Sequence, residues 1–280
     1  MRIIKILFTL FILNFLISQK MLIPMDQQQT DHLKAYGITY SNLKKGNKVD
    51  WLINYRGGSF LVDASESLKS KCLIRGVHFE NIDSNALAEI FSTIESNNMD
   101  ILVLDTPAKI AVYSPPGKQP WDDAVTLALA YAEVEYDVVF DEEILNGSLK
   151  KYDWLHLHHE DFTGQYGKFY KNYNNKVWYK QMEADFNFTA NKFGFKSVHE
   201  LKKDIAYRIK QYMINGGFLF AMCSATDSFD IALSALNVDI AHQVFDGTNI
   251  DPNYNKKLDF DNSIAFENFE LYTDPMLYEY

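Results

Sequence analysis

A series of short, nearly continuous apolar runs, alternating with segments of helical character, constrains this chain more than any other feature. Strand-like runs are predicted at Met21–Met25, Val49–Tyr55, Met99–Asp105, Ile110–Tyr113, Tyr136–Phe140, Tyr152–Leu157 and Phe218–Met222, with another over Ile74–Ile82, where apolar residues alternate in part. Between them, Asp83 can cap a helix whose Leu87, Ile90, Phe91 and Ile94 share one face at i, i+3, i+4 and i+7. Ser197 and Glu200 have capping-box spacing, Ile205, Ile209 and Met213 make an apolar stripe, and Gly216-Gly217 supplies a stop. Helical segments are also expected over Thr30–Lys45, Asp123–Val134 and Ser228–Leu236. Strands apolar on both faces, alternating with helices, predict an α/β fold with an open, mostly parallel sheet covered by helices on both faces. A fresh strand–helix series starts at Lys109, so the expected organisation is an α/β unit over 20–108 and a second over 109–280.

Residues 1–19 read as a secretory signal peptide: Arg2 and Lys5 flank an apolar run from Ile6 to Ile17, and polar Ser18-Gln19-Lys20 follow. The run is shorter than the about 20 residues a spanning helix needs, so export to the periplasm or exterior is expected, with membrane attachment only through an uncleaved leader. The charge sum, 27 basic against 37 acidic residues, is −10. That balance argues against a nucleic-acid partner, which needs a basic footprint. The two cysteines, Cys72 and Cys223, do not amount to a disulfide framework.

Chemistry concentrates in four places. Cys223 ends the Phe218–Met222 run and precedes a helix, with Ala221 and Ala225 two residues to either side. A nucleophile elbow has this layout, because its sharp turn tolerates only small flanking residues. Ser224 would open the helix, whose N–H groups could face an oxyanion; the ordinary alternative is a small buried thiol at a strand end. The second place is His156-Leu-His158-His159-Glu160-Asp161, at the carboxyl end of a predicted strand, where open α/β sheets form ligand crevices. On a continued strand His156, His158 and Glu160 would point one way and His159 and Asp161 the other. The spacing matches no zinc motif, so no metal is assigned. The third is the proline-rich loop Ser114–Trp121, where Lys118, Trp121 and Asp122 could line a pocket or stiffen a connector. The fourth is 162–195, which holds eleven aromatic residues and suits either ring-mediated contacts or an internal packing cluster.

The stretches LIPMDQQQTDHLKAYGITY, VDWLINYRGGSFLVD, KIAVYSPPGKQPWDDAVTLALAYAE, YDWLHLHHEDFTGQYGKFY and NGGFLFAMCSATDSFDIAL closely resemble a group of secreted bacterial proteins labelled asparagine synthetase B. The resemblance runs over nearly all of the chain after residue 20. It implies that the natural chain continues past Tyr280. An ATP-dependent synthetase of that name would need an N-terminal Cys and a Ser-Gly-Gly-x-Asp-Ser loop. The chain has neither, so asparagine synthesis is not expected. The second half is similar instead to the class I glutamine amidotransferase-like, flavodoxin-like fold. Its elbow is Gly-x-Cys-x-Gly, with His and Glu partners later in the chain, whereas alanines flank Cys223 here and His242 is the one later histidine. Three explanations stand open: the partners lie further on, His158 or His159 serves from an earlier strand, or the protein is not an enzyme. The leading expectation is a thiol-dependent hydrolase or amidotransferase acting on a C–N bond of a small-molecule or peptide substrate, without a cofactor. Cys223 would attack, His158 or His159 take the proton, Glu160 or Asp161 orient the imidazole, and Lys118, Trp121, Asp122 and Ser224 contact substrate. The competing expectation is a non-catalytic periplasmic binding or interaction protein that uses the same sheet edge.

Overall fold

The computed structural model describes residues 19–115 and 124–279. The chain divides into two compact units: residues up to Pro107 together with Ala128–Val134, and the rest from Ala108 onward. Among the described residues, no helix is long and apolar enough to cross a membrane.

The first unit carries β1 (Lys20–Ile23), α1 (His32–Lys44), β2 (Val49–Ile53), β3 (Ser59–Asp63), α2 (Glu66–Arg75), β4 (Glu80–Ile82), α3 (Ser84–Glu95) and β5 (Asp100–Leu104). Its five strands lie in the order β4-β1-β3-β2-β5, and every neighbouring pair is antiparallel. This overturns the expectation of parallel strands for this half. The physical reason lies in what the apolar runs report. Met21, Ile23, Val49, Phe60 and Val62 pack with Ala35 and Ile38 of α1 and Leu68 and Cys72 of α2. Leu22, Leu52 and Leu61 pack on the other face with Ile90 and Ile94 of α3. Continuous apolarity follows from burial on both faces with a side-chain period of 2, and says nothing of strand direction.

Two further elements differ from expectation. The segment Glu66–Arg75 is helical, with Ser65 accepting the Leu68 N–H and Gly76 closing it in the left-handed region, so only Glu80–Ile82 of the expected strand over Ile74–Ile82 is extended. β3 follows β2 after a tight turn in which Asn54, Arg56, Gly57 and Gly58 all have positive φ. Two apolar runs separated by a glycine-rich turn are a hairpin signature.

The second unit holds β6 (Ile110–Tyr113), the start of α4 (Ala124–Ala132) as far as Leu127, β7 (Tyr136–Val139), α5 (Asp141–Leu145), β8 (Trp154–Leu157), α6 (Tyr170–Tyr173), α7 (Val177–Lys192), α8 (Val198–Ile214), β9 (Phe218–Ala221), α9 (Ser224–Ser234) and α10 (Gln243–Asp246). Its sheet runs β7-β6-β8-β9, and all three pairings are parallel. The α/β class is therefore shown, with a parallel sheet in one unit and an antiparallel sheet in the other. Ala111, Tyr113, Leu155 and Leu157 pack against Leu201, Ile205 and Ile209 of α8 and against Phe229 and Leu233 of α9. On the other face, Phe218 and Phe220 remain 60% and 40% exposed. Two-sided coverage thus falls short along β9. The aromatic segment is core: Phe162, Tyr166 and Tyr179 are fully buried in the main cluster. The Tyr166 ring lies 6.0 Å from Tyr179 and 6.0 Å from Phe186.

Candidate functional site

β8 and β9 are adjacent, with Leu157 paired to Ala221, so their carboxyl ends open at one edge. The pairing extends past both strands. The Met222 N–H donates to Leu157 O (3.0 Å), and the Ala225 N–H donates to His158 O (3.1 Å). Between these bonds the chain turns sharply at Cys223, whose φ of 51° and ψ of −140° are rare for any residue with a Cβ. Strain of this kind costs about 1–3 kcal/mol and clusters at functional sites. Two bonds to the Cys223 carbonyl hold the turn, from the Thr226 N–H (3.1 Å) and the Thr226 hydroxyl (2.7 Å). Ala225 is fully buried, which leaves room for only a small side chain there, whereas Ala221 is half-buried.

The elbow exposes the thiol beside two imidazoles. One ligand-capable atom from each of His158, His159 and Cys223 lies within 4.8 Å of the other two. The two imidazole rings are 3.6 Å apart at their centroids, tilted by 30°. The strand ends at Leu157, so the expected alternation does not continue and His158 and His159 converge instead of diverging. His156 is not brought to this group. It is buried within the sheet, where its ring stacks on Phe220 at 5.6 Å and its Nδ1 donates to Phe220 O (3.2 Å).

The two carboxylates act on backbone. Glu160 Oε2 accepts the His158 N–H (3.0 Å), and the Glu160 carbonyl accepts the buried Ser228 hydroxyl (2.8 Å). Asp161 accepts four bonds, from the N–H and hydroxyl of Thr163 (2.7 and 2.6 Å), from Gln165 N (2.8 Å) and from Gly167 N (3.0 Å). It folds the loop that follows the histidines. Gly164 in this loop has φ +75°, and a Cβ there would lie 2.6 Å from the His199 Cα. His199 Nδ1 donates to Thr163 O (2.6 Å), and burial pushes its pKa down.

A cavity of about 880 Å³ adjoins the elbow, with His159, Ser224, Asp227, Lys168, Phe266 and Glu270 among its walls. Ser224, expected at the substrate, is thus in place at the first turn of α9. Lys118, Trp121 and Asp122 lie outside the described residues. The far wall comes from the segment after residue 263, and two buried charges clamp it. Asp230 accepts the N–H groups of Ile264, Ala265 and Phe266, each at 2.7 Å. Lys168 Nζ donates to Tyr272 O (2.8 Å) and Asp274 O (3.0 Å). Burial pushes the Lys168 pKa down to about 8.

These clamps are what sequence reasoning missed. Asp230 sits mid-helix among Phe229, Ile231 and Ala232, and a carboxylate in such an apolar run was the available signal. Lys168 offered none. His242, the later histidine, caps α10 through Nδ1, which accepts the Val244 N–H at 3.3 Å. A third buried charge, Lys202, bonds both Asp141 oxygens at 2.9 Å and the Tyr113 hydroxyl at 2.9 Å. Cys72, the other thiol, is fully buried, and burial raises its pKa to about 11. No family model matches the sequence, and no curated protein or solved structure matches it.

Proposed function

We propose that the second unit is a class I glutamine amidotransferase-like thiol hydrolase that cleaves a C–N bond of a small-molecule or peptide amide. The observation that carries this reading is the Cys223 elbow, with φ 51° and ψ −140° and an exposed sulfur within 4.8 Å of two imidazoles. The strand order β7-β6-β8-β9 supports it, being the 2-1-3-4 beginning of a flavodoxin-like sheet. An imidazole of the His158–His159 pair takes the thiol proton as Sγ attacks the carbonyl carbon. The oxyanion forms at the N-terminus of α9, where the Ser224 N–H follows the nucleophile. The imidazolium then protonates the leaving amine, and water hydrolyses the thioester to return the thiol and release a carboxylate. Glu160 and Asp161 act as positioning residues for the histidine loop. Export to the periplasm or exterior belongs to the same proposal, on the strength of the amino-terminal pattern.

A second reading, a binding protein that uses the same cavity, draws on one observation: both carboxylates near the histidines are engaged by backbone. A glutamine-like diazo ketone separates the two. The hydrolase reading expects a single covalent adduct on Cys223, read by peptide mass, and none in Cys223→Ser. Labelling of Cys223 no faster than that of a free small-molecule thiol would remove the nucleophile and leave the binding reading.

A further inference from the structure

We infer that His158, His159 and Cys223 form a binding site for a Zn²⁺-class divalent transition metal ion. This goes beyond hydrolysis, since an acid–base relay employs one imidazole whereas two converge here on one sulfur. The donor set, two nitrogens and a thiolate, is the borderline-soft set that Zn²⁺ prefers over Mg²⁺ or Ca²⁺. A tetrahedral Zn²⁺ with bonds of about 2.0–2.3 Å needs its ligand atoms about 3.3–3.6 Å apart. The three atoms already lie within 4.8 Å of one another. A side-chain adjustment of about 1 Å closes that gap, and the two outermost ligands, His159 and Cys223, are the exposed ones.

The backbone supports a fixed geometry. Both histidines are at the end of β8 and Cys223 at the end of β9, with bonds from Met222 and Ala225 tying one turn to the other. Three protein ligands leave a fourth position for water, the pattern of open zinc sites. His159 borders the 880 Å³ cavity, so that position is reachable from it. Acidic Asp227, Glu267 and Glu270 in the cavity wall favour entry of a cation. On binding, the Cys223 S–H bond breaks, sulfur donates its electron pair to the metal, and the proton passes to solvent. Metal occupancy and a free thiol nucleophile are then mutually exclusive.

The whole chain is titrated with Co²⁺ alone and with Zn²⁺ alone. Expected is one Co²⁺ per chain with a thiolate-to-metal charge-transfer band that Cys223→Ser loses. Loss of a ligand should cost at least the roughly 10–100-fold that mispositioning one costs, so His158→Ala and His159→Ala should each weaken Zn²⁺ binding by that factor or more. In the unsubstituted protein, Zn²⁺ should slow iodoacetamide labelling of Cys223 by about tenfold or more and leave Cys72 unchanged. Absence of saturable binding, a band that persists in Cys223→Ser, or Zn²⁺-independent labelling overturns the site. The labelling rate without metal reports on the thiol itself, so failure of the metal site and failure of the hydrolase reading give different results.

Discussion

The two sheets are built from similar apolar runs, yet their edges differ in chemistry. In the antiparallel sheet, carboxyl ends alternate between the two edges, and the buried polar side chains of that unit are Gln29, Thr39, Asn42 and Ser59, none of them charged. In the parallel sheet all carboxyl ends share one edge. Among the described residues, every buried Asp, Glu, Lys and His belongs to this second unit: Asp141, His156, Glu160, Lys168, His199, Lys202 and Asp230. Burying charge costs several kcal/mol unless it is paired. The concentration of that cost where β6, β7, β8 and β9 end marks the region that carries chemistry. The two thiols follow the same division. Cys72 faces the apolar interior of the first unit, and Cys223 stands at the shared edge of the second.

The largest expected effect breaks or upholds that division directly. Cys72 has no exposed surface, so it reacts only when its unit opens. Opening at about 5 kcal/mol or more leaves an open population near 10⁻⁴. Iodoacetamide at neutral pH should therefore label Cys223 on the order of 10⁴-fold faster than Cys72. Comparable rates in the folded protein would erase the contrast. Next in size is the buried pair. Lys202→Met leaves the Asp141 carboxyl fully buried without its cation, which should cost the second unit about 3–5 kcal/mol. The double substitution with Asp141→Leu should recover most of it. Urea unfolding followed by hydrogen exchange of second-unit peptides reads both. A loss under about 1 kcal/mol for Lys202→Met would mean that the charges at this edge are not coupled to its packing.

Much of the fold is legible in the residues. The cap at Asp83 accepts the Asn85 and Ala86 N–H groups, and the strands β5 through β9 fall where their apolar runs lie. Strand direction was not legible, because β1 and β3 owe their apolarity to cover on two faces and would look the same in either orientation. The site was legible at Cys223, where small neighbours imply a sharp turn, and at the His158–His159 pair. Their meeting was legible as well, because two apolar runs that each end in polar chemistry predict neighbouring parallel strands, and β8 and β9 pair in this way across 64 residues of chain. The convergence of both histidines was not, since a continued strand would send them to opposite faces. Glu160 and Asp161 were legible as polar and not as braces, because a carboxylate's partners are set by loop backbone that no local pattern encodes.

Helix caps should show no such division, being local. Asp83→Ala in the first unit and Ser197→Ala in the second each remove a side chain that accepts N–H groups in the first turn. Each should cost about 1 kcal/mol. Hydrogen exchange at the start of each helix measures it. A much larger cost at Ser197 would tie that cap to the charged edge.

The smallest effect tests whether Lys168 belongs to the costly edge or merely lies near it. Burial lowers its pKa to about 8 from an ordinary 10.5. Above pH 8 the folded state therefore sheds this proton while the unfolded state keeps it. The unfolded chain then binds more protons, so stability rises with pH. From about pH 9 the folded state holds the Cys72 proton, whose pKa burial raises to about 11, and the slope reverses in sign for that group. The window for Lys168 is thus pH 8 to 9. Linkage for one proton limits the gain to about 1 kcal/mol across it, less with solvent screening. The signature is a slope and not a height: Lys168→Met loses two hydrogen bonds to Tyr272 and Asp274, and is less stable throughout. What it should lack is the rise between pH 8 and 9, in second-unit peptides followed by hydrogen exchange. If the variant keeps that rise, another group supplies it, and the clamp on the cavity wall carries its full charge at no cost.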